Sequence, residues 1–463
     1  MGNDIGKHLI PPPLTFIDCF ENGRIILTRY LHYRRRLDHI EQDTYVIDDR
    51  IKKKRKRLVD DVPDQIMFER KRSVKRHKIL VRDKDGSLRD IRPEDTLWYL
   101  LYVANPPSSD RLLALFRLRF RLPYESFLSL SDEISDDSNF EQWKHPDAAG
   151  VPPSNLKLML LGALRYIGRA WTYDDIAEAN GISMDTNREF MNRFLDYGST
   201  VLYQKWVIEP NWTRKVSDQE KMFAMAGFNG CIGSSDATHI PMLKCPNWAQ
   251  ISHKGFKLNF PARTYNVTCD HSRRIIGTTM GHPATWNDKT LILFDEMISK
   301  VNSGNIPGDY EFDLFEKIED DNVVEVRYKG VWFMVDNGYL SWSCTVTPNN
   351  NALSYKDIRF SEWLESLRKD VLCLFSIMNG RFTILRYGLR FHSIDLCDKM
   401  WLICCALHNN IFLIDGLDKN WETGVKSFWE KKNKENCHFN SITPFAIQRL
   451  NRIETNIEDS FII

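Results

Sequence analysis

Apolar residues recur three and four positions apart between about residues 93 and 205, which is the spacing of amphipathic helices. The pattern predicts a helix over 156–169, a second that ends at Asn180 and a third that begins at Ser183, with Gly181 in the turn between the last two. Two helices joined in this way form either a helix-turn-helix, whose second helix enters a DNA major groove, or a helical hairpin that only packs. The pattern leaves both interpretations open, and the balanced charge of the third helix does not favour a helix-turn-helix that binds DNA.

Strands and helices alternate from about 222 to 415. Branched residues on both sides of a polar turn predict a hairpin formed by 265–269 and 274–279. One strand-like run before this hairpin ends at Asp236, and another after it ends at Asp336. Together these runs predict a mixed sheet flanked by helices, with two acids at strand ends, where a central sheet presents them to solvent and ligand.

An apolar stripe at helical spacing runs through 360–382 and predicts one helix packed on the sheet. Leu372 lies off the centre of the stripe and shares its direction with Glu365, Arg368 and Ser376, which form a mainly polar strip. Leu372 therefore either widens the core stripe or occupies a position that could hold a polar group.

The composition is that of a globular protein. A chain of 463 residues with 43% hydrophobic residues and 13 tryptophans can bury a sizeable core and is expected to form two or three domains. No apolar run reaches the roughly 18 residues of a membrane helix, so we expect a soluble intracellular protein without a membrane segment. Ten cysteines, several in apolar surroundings, fit reduced core thiols better than a disulfide framework.

The net charge of +1 conceals a basic segment over 50–78, where 13 Lys and Arg residues face four acids. The segment fits a two-part nuclear-import signal, a phosphate-binding arm or a solvated linker. The residues predicted to contact nucleic acid or an import receptor are Lys52, Lys53, Lys54, Arg55, Lys56, Arg57, Arg70, Lys71 and Arg72.

Composition divides the chain into four parts. Residues 1–92 form a basic and partly disordered arm, and 93–221 form a helical domain with the possible helix-turn-helix. Residues 222–415 form the α/β core, and 416–463 form a tail.

Five short motifs occur in a specific order along the chain. They are Gly-Ser-Ser-Asp-Ala-Thr-His-Ile at 233–240, Gly-His-Pro-Ala-Thr-Trp-Asn-Asp-Lys-Thr at 281–290, Val-Asp-Asn-Gly-Tyr at 335–339, Arg-Lys-Asp-Val at 368–371 and Ala-Leu-His-Asn at 406–409. In this order they resemble transposases of the PIF/Harbinger superfamily, of the plant-transposon-protein type.

The resemblance implies an RNase H-like catalytic core behind a helix-turn-helix, and cut-and-paste DNA transposition in the nucleus. It also implies a site for two Mg²⁺ or Mn²⁺ ions, which suit carboxylate ligands and stabilise the attacking and leaving oxygens of a phosphodiester. Asp236 and Asp336 match the first and second catalytic, metal-binding aspartates. A Myb-like DNA-binding protein, a nuclear import receptor and a second copy of the chain are the expected partners besides DNA.

The third acid of the family does not match. A glutamate follows Arg-Lys-Asp-Val in the family, and Leu372 stands there in this chain. A leucine cannot bind a hard cation; Glu365 lies two turns away, about 10.5 Å along a helix, and Asp370 points about 200° round it. We therefore expect weakened metal binding and impaired cleavage, with a side chain of Leu372 that points towards the two aspartates. The alternative is an inactive, transposase-derived DNA-binding or scaffold protein.

Other side chains have two interpretations each. Cys397, Cys404, Cys405 and His408 could bind zinc, but their spacing and their apolar helix favour core packing. Asp288 precedes a probable helix, where either it or Asn287 could be the N-cap, or Asp288 could lie near the metal site.

Overall fold

The computed structural model describes nine stretches of the chain. They are residues 80–82, 85–146, 150, 152–210, 215–255, 258–304, 310–317, 323–351 and 353–417. The basic residues from Lys52 to Arg72, predicted to contact nucleic acid or an import receptor, lie outside the described residues, as does most of the predicted tail. Those predictions stay predictions.

The first part of the fold is helical and follows a two-stranded hairpin of β1 (Leu80–Arg82) and β2 (Leu88–Asp90). Single π-helical turns at Leu100–Ala104 and at Gly198–Leu202 follow the helices Leu97–Tyr99 and Met184–Tyr197. The helices are α1 (Leu97–Tyr99), α2 (Asp110–Phe120), α3 (Tyr124–Asp136), α4 (Leu156–Arg169), α5 (Tyr173–Asn180), α6 (Met184–Tyr197), α7 (Tyr203–Trp206) and α8 (Lys215–Ala224).

Hydroxyl side chains start α5 and α6 where the sequence predicts helix caps. Thr172 and Ser183 each accept a backbone N–H from the first turn that follows. Gly181 between the helices has φ of +69°, a left-handed conformation that glycine adopts at little cost. Asn180 donates to buried Asn187 at 2.8 Å and fixes the two helices together. The three predicted helices are confirmed, whereas a DNA-reading role for α6 stays a prediction.

Within the described residues, the second part contains one mixed sheet and a separate hairpin. The strands are β3 (Cys231–Pro241), β4 (Ala262–Cys269), β5 (Ile275–Thr278), β6 (His282–Pro283), β7 (Glu311–Lys317), β8 (Val323–Lys329), β9 (Trp332–Met334) and β10 (Thr345–Val346). In the main sheet the order is β10-β9-β3-β4-β5, and β6 pairs with β4, whereas β7 and β8 form the hairpin. β3, β4 and β5 are antiparallel, whereas β9 and β10 extend the sheet parallel to β3.

Seven helices accompany these strands in the described residues. They are α9 (Gln250–His253), α10 (Asp288–Leu291), α11 (Glu296–Asn302), α12 (Tyr355–Arg368), α13 (Asp370–Arg381), α14 (Thr383–Tyr387) and α15 (Ile394–Ile414). The sequence prediction of a mixed sheet flanked by helices is confirmed, as is the hairpin that β4 and β5 form.

The single helix predicted over 360–382 is wrong. The structure has two helices, α12 and α13, which meet at Lys369. Leu364 on α12 packs in a small core with Phe228, whereas Val371 and Leu374 on α13 belong to the main core. The helix breaks at Lys369 because the two halves of the apolar stripe pack against different hydrophobic clusters.

The main core joins the helical part to the sheet. Its members include Phe116 and Phe194 from the helices and Tyr265 from β4, against which Trp401 of α15 stacks at 4.7 Å between ring centroids. Asn409 of α15 both accepts from and donates to the backbone of Ile275, so α15 is also hydrogen-bonded to the edge strand β5. None of the helices in the described stretches is long and apolar enough to cross a membrane.

Candidate active site

Asp236 and Asp336 lie beside each other where the parallel pairing of β3 and β9 ends. The register pairs Ser234 with Met334, and each aspartate is two residues farther along the chain: Asp236 within β3, which continues to Pro241, and Asp336 just after β9. Parallel neighbours run in the same direction, so the same offset from a paired position brings the two carboxylates together. The predicted strand end at Asp236 is wrong, because β3 pairs with β4 as far as Pro241, whereas the strand before Asp336 does end there, at Met334.

The carboxylate of Asp236 is largely buried and fully engaged. Its Oδ1 accepts the N–H of Ala237 at 2.8 Å, and its Oδ2 lies 3.2 Å from a guanidinium nitrogen of Arg368. Burial, together with the negative charges of Asp336 and Asp288, raises the pKa of Asp236 to about 6. The N–H of Ala237 and the positive charge of Arg368 act in the opposite direction and lower this pKa. Asp236 is therefore a buried carboxylate with two other acids near it and Arg368 as its ion-pair partner.

Asp288 is a third carboxylate at this end of the sheet. Asn287 is the residue that caps α10, since its side chain accepts the N–H of Thr290, so Asp288 does not serve as the cap. A Cβ on Gly338 would lie 2.5 Å from Oδ2 of Asp288 and 2.9 Å from Oδ1 of Asp336. The carboxylates of Asp288 and Asp336 thus both approach Gly338, and its lack of a side chain leaves room for them.

Arg368 connects the site to α12. Its Nε and Nη2 hold both carboxylate oxygens of Glu365 at 2.9 and 2.7 Å, while its Nη1 reaches Asp236. This bidentate pair holds the guanidinium in a fixed orientation, and the bonds from Arg368 lower the pKa of Glu365. Sequence reasoning excluded Glu365 on its distance from position 372 and missed that Arg368 links it to Asp236. Their spacing of three residues on one polar strip was the available signal.

Leu372 is 41% exposed and does not fill the core. It lies at the start of α13, four positions after Arg368, which contacts Asp236. Its direction towards the two aspartates stays a prediction. Asp370 cannot take its place, because its oxygens are bound by His271 at 2.5 Å and Arg273 at 3.3 Å.

A buried polar network lies beneath the site. Asn266 of β4 donates to Ser235 at 3.0 Å and to Asp295 at 2.8 Å, and it accepts the hydroxyl hydrogen of Tyr339 at 2.6 Å. Tyr339 follows Asp336 closely in the chain, so this bond ties the turn that carries Asp336 to the strand next to β3. Buried polar groups that are fully paired in this way hold one arrangement.

The residues present do not fit a divalent ion as they are arranged. Within the described residues, no group of three or more His, Cys, Asp or Glu side chains is disposed to hold a metal ion. Oδ2 of Asp236 faces a guanidinium, and Oδ1 of Asp336 accepts the N–H of Gly338 at 2.7 Å. Arg368 thus occupies the position beside Asp236 that a cation would need.

The candidate zinc ligands of α15 are core residues. Cys397, Cys404 and Cys405 are buried and form no disulfide in the part of the chain that the structure describes. His408 accepts from Arg381 at 2.9 Å and donates to the backbone oxygen of Arg273 at 3.0 Å, so both ring nitrogens are occupied. The core interpretation made from the sequence is confirmed.

Comparison with known proteins gives one match. Residues 235–409 match the family model described as DDE superfamily endonuclease, and this range contains Asp236, Asp288, Asp336 and Leu372. No curated protein matches the chain, and no solved structure matches it either. Domains of this family generally use divalent metal ions. The chain therefore carries, over residues 235–409, a DDE superfamily endonuclease domain of the transposase-like type.

Proposed function

We propose that this protein is a transposase-like DDE nuclease of the PIF/Harbinger superfamily whose DNA cleavage and strand transfer are impaired. One observation carries the proposal: Asp236 and Asp336 lie together where the parallel pairing of β3 and β9 ends, and Arg368 binds Asp236. By the resemblance of the motifs, Leu372 stands at the third acidic position. The paired aspartates retain the architecture of the site, whereas Leu372 and Arg368 weaken its affinity for Mg²⁺ or Mn²⁺.

The sheet supports an RNase H-like assignment. The antiparallel strands β3, β4 and β5 are followed by β9, which pairs parallel with β3, and by β10, which pairs parallel with β9. This topology places Asp336, just after β9, next to Asp236 within β3. The five ordered motifs of the sequence support the PIF/Harbinger assignment within the broader DDE superfamily.

The alternative function is that of a catalytically inactive DNA-binding or scaffold protein. The ion pairs of Arg368 favour it, because its guanidinium already binds Asp236 and neutralises part of the charge that a metal ion would neutralise. In both cases we propose a nuclear protein that uses its basic segment for import, α5 and α6 for DNA contact, and a Myb-like partner for target recognition.

Cleavage of supercoiled plasmid in Mg²⁺ or Mn²⁺ tests the proposal. We expect little nicking by the unmodified protein and a clear gain in Leu372→Glu, because a third carboxylate supplies the missing hard ligand. Leu372→Gln is the matched control, since it has the same size without the charge. Asp236→Ala added to Leu372→Glu should abolish the gain.

Two results would contradict this. Robust metal-dependent cleavage by the unmodified protein, lost in Asp236→Ala, would show that catalysis is not impaired. No cleavage by Leu372→Glu, in a protein that still binds DNA, would favour the scaffold alternative.

A further inference from the structure

Four arginines lie together where α2 and α4 end. They are distant in sequence from Asp236, Asp288 and Asp336. Arg119 is in the last turn of α2, Arg121 follows that helix, and Arg165 and Arg169 are in the last turns of α4. We call them the arginine cluster. All four side chains are half-buried, so they are neither free surface arginines nor core residues.

Backbone carbonyls hold the cluster together. Arg165 donates to the carbonyl of Arg119 at 3.1 Å, and Arg169 donates to that of Leu118 at 3.3 Å. Arg121 lies across the other helix, with its Nε 3.4 Å from the oxygen of Gly168. A Cβ on Gly168 would lie 2.7 Å from Cγ of Arg121, so this close approach requires the glycine.

In the part of the chain that the structure describes, no carboxylate forms an ion pair with these arginines. Among the ion pairs of the described residues, none involves a member of the arginine cluster. Nearby Arg117, by contrast, is paired with Asp415 at 2.6 Å. Burial and then the positive charges of Arg169, Arg119 and Arg121 lower the pKa of Arg165 to about 10, which agrees with four like charges close together.

Helix capping accounts for only part of this arrangement. Basic side chains at a helix C-terminus satisfy terminal carbonyls and interact favourably with the helix dipole, and Arg165 and Arg169 do so for α2. Capping needs one donor from each, however, and Nε of both side chains is buried without a hydrogen-bond partner in the described stretches. Arg121 caps α4 in the same way through the carbonyl of Gly168, and Arg119 donates to the hydroxyl of Tyr102 at 3.1 Å, but capping does not require that four guanidiniums lie so close together.

We propose that the arginine cluster binds the phosphate backbone of duplex DNA. Arginine presents several donors in a planar fork that matches phosphate oxygens, and contacts to phosphates supply most of the affinity of such proteins without reading sequence. The indole of Trp171, 4.0 Å beneath the guanidinium carbon of Arg165, holds one fork in place. The choice of DNA over other polyanions rests on the proposed nuclease function.

Salt-dependent binding tests the proposal independently of cleavage. Anisotropy of a fluorescein-labelled duplex of arbitrary sequence is measured in EDTA over a series of NaCl concentrations, with the full chain. We expect Arg119→Gln/Arg169→Gln to weaken binding and to lower the slope of log K against log salt by about 0.9 for each arginine removed. The basic segment 50–78 contributes equally to both proteins and cancels in the difference.

The controls separate charge, position and folding. Arg119→Lys/Arg169→Lys should keep the slope, because each lysine retains the charge. Arg327→Gln, which removes an arginine paired with Asp313 in the hairpin of β7 and β8, should leave the slope unchanged. Modification by phenylglyoxal, mapped by mass spectrometry on the unmodified protein with and without DNA, needs no variant, and DNA should protect the arginine cluster.

An unchanged slope in the double Gln variant, or equal modification of the arginine cluster with and without DNA, overturns the proposal. Either result leaves the proposed nuclease intact if the protein still binds the duplex. If the unmodified protein does not bind duplex DNA at the lowest salt, the proposed function fails together with the arginine cluster.

Discussion

The acidic end of the sheet and the arginine cluster are two regions of opposite, unbalanced charge. At the acidic end, Asp236, Asp288 and Asp336 lie close together with Arg368 as the cation bound to Asp236. In the arginine cluster, four guanidiniums lie together with no carboxylate partner in the described part of the chain.

The difference lies in how each region is stabilised without a ligand. The acidic end has its own counter-ion, held by the bidentate pair with Glu365. In the described residues, the hydrogen-bond acceptors of the arginine cluster are backbone carbonyls and the hydroxyl of Tyr102, which carry partial charge. A region that supplies its own counter-ion must give it up to bind another ion, whereas a region without one gains most from an added anion. The comparison thus predicts weak metal binding at the first region and DNA binding at the second.

Removal of Arg368 should have the largest effect on stability. Arg368→Met leaves the largely buried Asp236 beside two other acids without its cation, so we expect the free energy of unfolding in urea to fall by about 2 kcal/mol. Adding Asp236→Asn should recover most of the loss, because the uncompensated charge is then gone. An unchanged urea midpoint in Arg368→Met would show that the acidic end does not depend on its internal cation.

A methyl group at Gly338 should have an intermediate effect. Gly338→Ala places a Cβ against the carboxylates of Asp288 and Asp336, and we expect a loss of about 1 kcal/mol in urea denaturation from overpacking. Gly380→Ala on α13 is the matched control, since no atom lies within 4 Å of its added Cβ and alanine favours a helix. Equal stability of the two variants would mean that Asp288 does not share the site of Asp336.

Salt should have the smallest effect and distinguishes repelling from attracting charges. Added NaCl screens the repulsion within the arginine cluster, so the unmodified protein should gain about 0.5 kcal/mol more stability from salt than Arg119→Gln does. Arg327→Gln should show the opposite sign, because salt weakens the attraction that this arginine has for Asp313 in the unmodified protein. The same sign for both variants would contradict the comparison.

Short-range patterns predicted the elements on which both regions are built. Caps at Thr172 and Ser183 and a glycine between them were sufficient for α5 and α6, because capping and left-handed turns depend on neighbouring residues alone. Strand-like runs before Asp236 and Asp336 predicted β3 and β9, since a strand needs only a few branched residues in sequence, but the predicted end of the first strand at Asp236 was wrong. The α/β class followed from the alternation of such runs.

The contacts between distant residues could not be predicted in this way. The sequence left the role of Asp288 open, and only the fold shows that Asn287 caps the helix while Asp288 faces Asp336. The break at Lys369 has no glycine or proline to announce it, because it arises from two separate cores.

The sequence by itself determined α4, α5 and α6, the hairpin of β4 and β5, and the strand-like runs before Asp236 and Asp336. These properties depend on local spacing and residue type. A carboxylate at the position of Leu372 is expected from the resemblance of the motifs. Only the tertiary structure decided the balance of charge: that Arg368 is the counter-ion of Asp236, and that arginines of α2 and α4 lie together without one. Electrostatic energy depends on distance and burial, and the fold sets both by joining residues that are far apart in the chain.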